Sequence, residues 1–196
     1  MAAKHELTRD DVIAMEDYAR QRKDRRRALV EAKRHRRLAV GPDCTFYFEN
    51  YETMWNQVHE MLFIEKGGED QIADELRAYN PLVPKGRELV ATVMFEIDEP
   101  ARRAALLAKL GGVEETVFLR VGGATIAGVP EADVERTSAA GKASSVQFIH
   151  FPFTDQQVAT FRAANAEIAA GFTHPEYAHM AVLPEPVRQA LAEDFD

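Results

Sequence analysis

The sequence predicts an α+β fold: a mainly antiparallel sheet with packed helices, preceded by an N-terminal helical arm. Three observations carry this. Runs rich in β-branched residues are joined by short turn signals, above all Gly122-Gly123, and read as hairpins instead of strict strand–helix–strand alternation. Between them stand segments with apolar residues at helical spacing, clearest from Tyr51 to Leu62. The stretch before residue 38 is basic, and Arg20 to Arg27 contains no large apolar residue. The chain reads as a single domain, 1–196, with a basic helical arm at 1–37 and an α+β core at 38–196.

The elements follow in order. Thr8 with Asp11 has the spacing of a capping box, so a helix is expected after it, with Val12, Met15 and Ala19 on one face. Arg20 to Arg27 has nothing to bury and reads as exposed helix or a break, after which Ala28, Leu29, Val30 and Ala32 resume an apolar face. Leu38 to Val40, Gly41-Pro42-Asp43 and Cys44 to Phe48 read as strand, turn and strand. Asn50 is suited to cap a helix whose stripe is Tyr51, Met54, Trp55, Val58, Met61 and Leu62, with Gly67-Gly68 ending it. A second helix runs from about Glu69 to Tyr79 and stops at Asn80-Pro81. Glu88 to Ile97 is largely apolar on both alternating sets, which predicts a central strand.

Asp98 and Pro100 open a helix through Leu110, closed by Gly111. Thr116 to Val121 and Ala124 to Val129 are the arms of the Gly122-Gly123 hairpin. Thr137 to Ser145 is small and polar and reads as a mobile loop, and Val146 to Phe153 as a strand. Thr154 and Gln157 box the start of a helix carrying Val158 and Phe161. Ile168 to Phe172 reads as a short strand, and Glu185 to Phe195 as the last helix.

Composition excludes several functions. A chain of 196 residues buries roughly 70% of its unfolded surface and needs no covalent staple. Cys44 is the only cysteine, which rules out an internal disulfide, a CxxC pair, a cysteine zinc site and a self-contained Fe–S cluster. The polar start from Ala2 to Arg9 argues against a signal peptide, and no apolar run approaches the roughly 18 residues of a membrane helix. A soluble, cytoplasmic protein with no membrane partner is expected.

Charge is unevenly spread. Ten basic residues lie between Arg20 and Arg37 against Asp24 and Glu31, a local +8 in a chain of −8, so the remainder carries −16. A solvated helix face, pairing with acidic surface of the same chain or of a second copy in a homo-oligomer, and a polyanion are the three partners such a stretch admits. The acidic body argues against nucleic acid, because it repels the phosphate backbone.

Several phrases together resemble one bacterial family. They are Leu7-Thr8-Arg9-Asp10-Asp11, Arg36-Arg37-Leu38-Ala39-Val40-Gly41-Pro42, Phe48-Glu49-Asn50, Glu60-Met61-Leu62, Ala78-Tyr79-Asn80-Pro81-Leu82, Ser144-Ser145-Val146-Gln147-Phe148 and His174-Pro175-Glu176-Tyr177. The family is domain of unknown function 3501, and the likeness spans nearly the whole chain. The resemblance brings no activity with it. It implies a redox or peroxide-defence setting, because such proteins are commonly encoded beside a rubrerythrin-like di-iron protein and a heterodisulfide-reductase-like Fe–S protein. The sequence departs from the family's pattern at Gln147, where a histidine is expected, and at His59, where a glutamine is expected. The Gly122-Gly123 hairpin is short for the family. A metal role resting on a histidine at 147 is excluded here.

The densest set of ligand-type residues is His174, Glu176 and His179. Pro175 fits a first helical position, which would put Glu176 and His179 at i and i+3 on one face, the Glu-x-x-His spacing of di-iron helices. The chain has no second Glu-x-x-His, which leaves a mononuclear or shared site for a transition metal such as zinc, iron or manganese, or a plain surface turn. Glu65 falls on the apolar stripe of its helix and is either paired, metal-bound, protonated or freed by fraying. His59 and His150 read as packing residues. Ser144, Ser145, His150 and Asp155 lack a nucleophile-elbow context, and Gly122 to Gly128 lacks the lysine and Ser/Thr of a phosphate loop.

The leading expectation is an accessory factor acting beside a redox, Fe–S or di-iron partner. The alternatives are a metal-binding protein or metalloenzyme built on His174, Glu176 and His179, and a polyanion-binding module using the arginine-rich arm. Whether the protein is an enzyme stays open.

Overall fold

The computed structural model describes residues 4–131, 137, 141–163 and 165–196. The fold is α+β, and every strand pairing in it is antiparallel. The helices are α1 (Met15–Arg34), α2 (Tyr51–Glu65), α3 (Glu69–Tyr79), α4 (Pro100–Leu107), α5 (Asp155–Arg162) and α6 (Glu185–Ala192). The strands are β1 (Arg37–Ala39), β2 (Cys44–Glu49), β3 (Glu88–Phe95), β4 (Val117–Val121), β5 (Ala124–Ala127), β6 (Val129–Pro130), β7 (Val146–Pro152), β8 (Ile168–Phe172) and β9 (Met180–Val182). They form two sheets, ordered β1-β2-β3-β7-β6 and β5-β4-β8-β9.

β3 is central, as its two apolar faces require. Leu89, Ala91, Val93 and Phe95 enter a core shared by both sheets, where Phe46 and Phe95 meet Phe172 at ring separations of 5.3 and 5.9 Å. Val90 points the other way, into a second core with Tyr18, Met54, Trp55, Val58, Leu62 and Ile72 of α1, α2 and α3. The five-stranded sheet thus separates two apolar layers. The smaller core also collects Leu7 and Val12, which brings the N-terminal segment onto α2.

Caps fall where the sequence places them. Asn50 accepts a hydrogen bond from Thr53 N at 3.0 Å, and Thr154 from Gln157 N at 3.3 Å. Thr8 and Asp11 do form a capping box, but it closes one 3₁₀ turn, Arg9–Asp11, and α1 starts only at Met15. Arg20 to Arg27 lies inside one continuous helix, so there is no break. Ala28, Val30 and Ala32 stay exposed, while Leu29 and Lys33 are half-buried. α4 stops at Leu107, three residues short of its expected end.

The hairpin turn is Gly122-Gly123, with φ of 53° and 87° and Val121 opposite Ala124. Its second arm is cut at Gly128. Val129 and Pro130 leave the four-stranded sheet and pair with His150 and Ile149 of β7, joining the two sheets through one short segment. The loop expected at Thr137–Ser145 lies partly outside the described residues; Thr137 and Ala143 form an isolated bridge.

Arg36 closes the structure. It follows α1 and is buried, and its guanidinium donates to Phe48 O at 3.0 Å, Glu49 O at 3.0 Å and Asp194 Oδ2 at 2.5 Å. Burial pushes the Asp194 carboxyl up, and the Arg36 charge opposes that rise. Breaking a buried pair by removing one partner typically costs about 3–5 kcal/mol, whereas replacing both by apolar groups is often neutral. Arg36→Ala is therefore expected to lower the unfolding free energy by about that amount in urea titration, and Arg36→Met combined with Asp194→Leu to recover most of it. Equal losses in the single and double variants would show that the pair stabilises the fold directly.

Candidate functional site

The segment His174 to His179 is not a helix. Residues 173–179 form a turn between β8 and β9, so Glu176 and His179 do not share a helical face. The physical reason is Tyr177. Its buried hydroxyl donates to Val40 O at 3.0 Å and accepts from Asp43 N at 3.0 Å, and its ring packs edge-on against Phe95 and Phe172. With that hydroxyl tied to the β1–β2 turn, the segment closes short turns in place of a helix, Tyr177 N donating to His174 O at 2.9 Å and His179 N to Tyr177 O at 3.1 Å. Asp43, so fixed, takes Arg102 Nη2 on its carboxylate at 2.5 Å.

The ligand-type residues separate accordingly. His174 is buried, accepts from Glu176 N at 3.2 Å and faces Gly111 O at 3.4 Å, which occupies both ring nitrogens. Glu176 is exposed. His179 lies on the surface with its ring 4.6 Å from that of Tyr177. It also covers Gly41, where φ is +73° and a Cβ would meet the His179 ring at 2.7 Å. Glu65 is exposed at the end of α2, where Lys66 turns left-handed, and its carboxylate accepts from Gln71 Nε2 at 2.7 Å. Among the described residues no group of three or more His, Cys, Asp or Glu side chains is arranged to hold a metal ion.

Two histidines are packing residues of different kinds. His59 is buried in the smaller core, stacked on Trp55 at 3.6 Å. Its Nδ1 donates to Trp55 O at 2.7 Å and its Nε2 accepts from Ile13 N at 3.2 Å, which defines a neutral ring; burial lowers its pKa. His150, on β7, lies between Glu88 Oε2 at 3.0 Å and Glu131 Oε2 at 2.9 Å. Its pKa is raised, first by the hydrogen bond to Glu88 and against the pull of burial. Cys44 is buried, and burial pushes its thiol far above the ordinary range, so it is not a nucleophile.

The basic arm resolves into two faces. One packs: Tyr18 is fully buried, Arg22 forks onto Glu60 at 2.7 and 2.8 Å, and the Arg25 guanidinium lies 4.2 Å over the Trp55 ring. Glu60 is held below the usual carboxylate range, first by Arg22. The other face is free of the body. Lys23, Arg26, Arg27, Val30 and Arg34 recur at i, i+3, i+4, i+7 and i+11, all exposed, within an arc of about 100° at helical pitch. Arg27 and Arg34 pair only within the helix, with Asp24 at 3.8 Å and Glu31 at 3.2 Å. Exposed pairs of this kind contribute about 0–1 kcal/mol and leave the stripe cationic.

Two residues carry no signal in the sequence. Tyr177 looks like one aromatic among many until its hydroxyl meets the β1–β2 turn. Glu49 lies one residue past the expected end of its strand, yet it belongs to β2 and is buried.

The molecule is therefore a two-sheet α+β protein with a helical layer and an outward basic stripe. The chain belongs to the family described as Protein of unknown function (DUF3501), which it matches over residues 6–195. It is similar to a crystal structure from Burkholderia pseudomallei K96243, described as a novel protein of unknown function, at 38% identity and a TM-score of 0.89. That similarity covers 97% of this chain and 99% of the other. No curated protein matches the chain. Among the described residues no helix is long and apolar enough to cross a membrane.

Two outcomes are expected. Tyr177→Phe leaves Asp43 N and Val40 O without their partner and should cost about 1–3 kcal/mol in chemical denaturation; an unchanged midpoint would mean that the hydroxyl does not hold the turn. For His150 the folded pKa lies above the unfolded value, so its contribution is complete below about pH 6.5 and fades as pH rises through the folded pKa. The stability gap between the wild type and His150→Gln should accordingly be largest near pH 5.5–6 and shrink by about pH 8.5. A gap that does not change across that range would show that the protonated bridge contributes nothing.

Proposed function

We propose that this protein is an accessory factor that acts by contact, presenting the outward stripe of α1 to an acidic surface on a redox partner of the Fe–S or di-iron class. One observation carries the reading. Lys23, Arg26, Arg27 and Arg34 line one exposed face of α1 around Val30, which is 60% exposed, and among the described residues none of them forms an ion pair with the body, Arg26 acting on Glu60 only at longer range. A cationic rim around an exposed apolar residue has the make-up of a protein contact, where charge steers the encounter and the apolar centre is desolvated. A nucleic-acid ligand would need phosphate contacts that the acidic remainder of the chain opposes. The redox character of the partner rests on the setting that the family resemblance implies. The buried, unreactive Cys44 supports action through a partner instead of through a thiol of its own.

The test is association. Tagged protein produced in its own host at low oxygen is expected to co-purify with an iron-containing protein, identified by its absorption spectrum and by mass spectrometry. The complex should hold at about 0.1 M salt and dissociate towards 1 M, as the screening length falls from about 10 to about 3 Å. The Arg26→Glu, Arg27→Glu, Arg34→Glu variant should keep its thermal transition and lose the partner. Recovery of the same complex by that variant would overturn the reading. So would duplex binding at about 0.15 M salt that the variant abolishes, since that assigns the stripe to a polyanion.

A further inference from the structure

The helical layer does not close fully on the outer face of the five-stranded sheet. A cavity of about 310 Å³ lies between them, with Met54, Leu82, Met94 and Phe148 among its walls. That volume is at the lower bound of small-molecule sites, which are mostly apolar with few convergent polar groups. Here the polar groups are unequally satisfied. Gln57 and Tyr79 bond each other at 3.3 Å. Glu49, on the sheet side, is only 5% exposed; its Oε1 accepts from Thr92 Oγ1 at 2.7 Å, while its Oε2 is buried without a hydrogen-bond partner.

A buried carboxylate oxygen left without a donor is costly, and a fold that only needed to pack would answer it or replace it. Arg36, bonded to the neighbouring main chain, does not answer it. Arg36 takes the main-chain carbonyl of Glu49 and spends its other donors on Phe48 O, Ala190 O and Asp194. Lys33 also lines the cavity, from the last turn of α1, and makes no ion pair with Glu49. The Glu49 main chain is therefore anchored, its carboxylate is oriented by Thr92, and one oxygen is left without a partner.

We propose that this cavity is a binding site for a small organic cation with an apolar body, whose ammonium group pairs with the Glu49 carboxylate while the body lies against Met54, Met94 and Phe148. The site is independent of the α1 stripe, and its failure would leave the contact reading untouched.

Phenethylamine is the probe, with 2-phenylethanol as its neutral analogue and 3-phenylpropionate as its anionic one. Binding is read from the amide and methyl shifts of the full chain in two-dimensional NMR and from calorimetric titration. The expected result is saturable binding of the amine that shifts the Met54 and Met94 methyls, at least tenfold tighter than the alcohol, with the anion weakest. Glu49→Gln keeps the shape of the side chain and should remove the preference for the amine while leaving the fold intact by thermal melting. Should that variant not fold, Thr92→Val, which removes only the orienting hydroxyl, is expected to weaken the amine severalfold. Lys33→Met should leave amine binding unchanged or tighter. The proposal is overturned if no probe shifts the cavity methyls, if amine and alcohol bind equally, or if the amine binds only in Lys33→Met, which would make Lys33 the carboxylate's own partner.

Discussion

A guanidinium taken out of water must be answered by acceptors, and Arg36 is answered by four, two on β2 and two near the C-terminal end. It leaves α1, holds the last carbonyls of β2, reaches Ala190 on α6 and meets Asp194 beyond it. Such a group cannot be buried until all its partners have arrived, because a partly paired charge in the interior costs more than it returns. The constraint therefore ties the N-terminal helix, the five-stranded sheet and the C-terminal end into one arrangement. It also settles the course of the main chain at Glu49, and so which way that carboxylate is presented.

The same reasoning sorts the other interior polar groups. Tyr177 and His59 use every side-chain hydrogen-bonding atom on main-chain partners, at least one of them far away in sequence, and both read as fasteners: one holds the β1–β2 turn to the β8–β9 connection, the other holds the N-terminal segment to α2. His150 bridges Glu88 and Glu131 across neighbouring strands and depends on its proton to do so. Glu49 differs from these three in having an oxygen left over. Asn56 Oδ1 is also left over, but only Glu49 combines such an oxygen with a place in the wall of the cavity between sheet and helices.

α1 shows how one run of charge does two jobs. Arg22 and Arg25 are drawn onto Glu60 and Trp55 and behave as packing residues, their stems and planes covering aromatic surface. Lys23, Arg26, Arg27 and Arg34 turn outward along the same helix and make no such packing contacts among the described residues. The body of the protein thus fixes the direction in which the cationic stripe points. A stripe held by a packed opposite face is preorganised for a partner and loses little entropy on contact.

Local chemistry was legible in the sequence wherever neighbours in the chain decide the outcome. The α+β class, the caps at Asn50 and Thr154, the Gly122-Gly123 turn, the bounds of α3 and the central place of β3 all follow from short-range rules of hydrogen bonding, glycine conformation and periodic burial. The family was legible too, because its phrases extend along the chain. Long-range satisfaction was not. The division into two sheets turns on three residues at Gly128 to Pro130, and β9 exists because Met180 to Val182 finds β8 as a partner. The His174–His179 segment read as a helix by its proline and its spacing, but Tyr177 found acceptor and donor on the β1–β2 turn, and a buried hydroxyl bond outweighs a weak local preference. Glu49 was invisible for the same reason. A sequence specifies which side chains are polar, and only the packed structure decides which of their atoms are left without a partner.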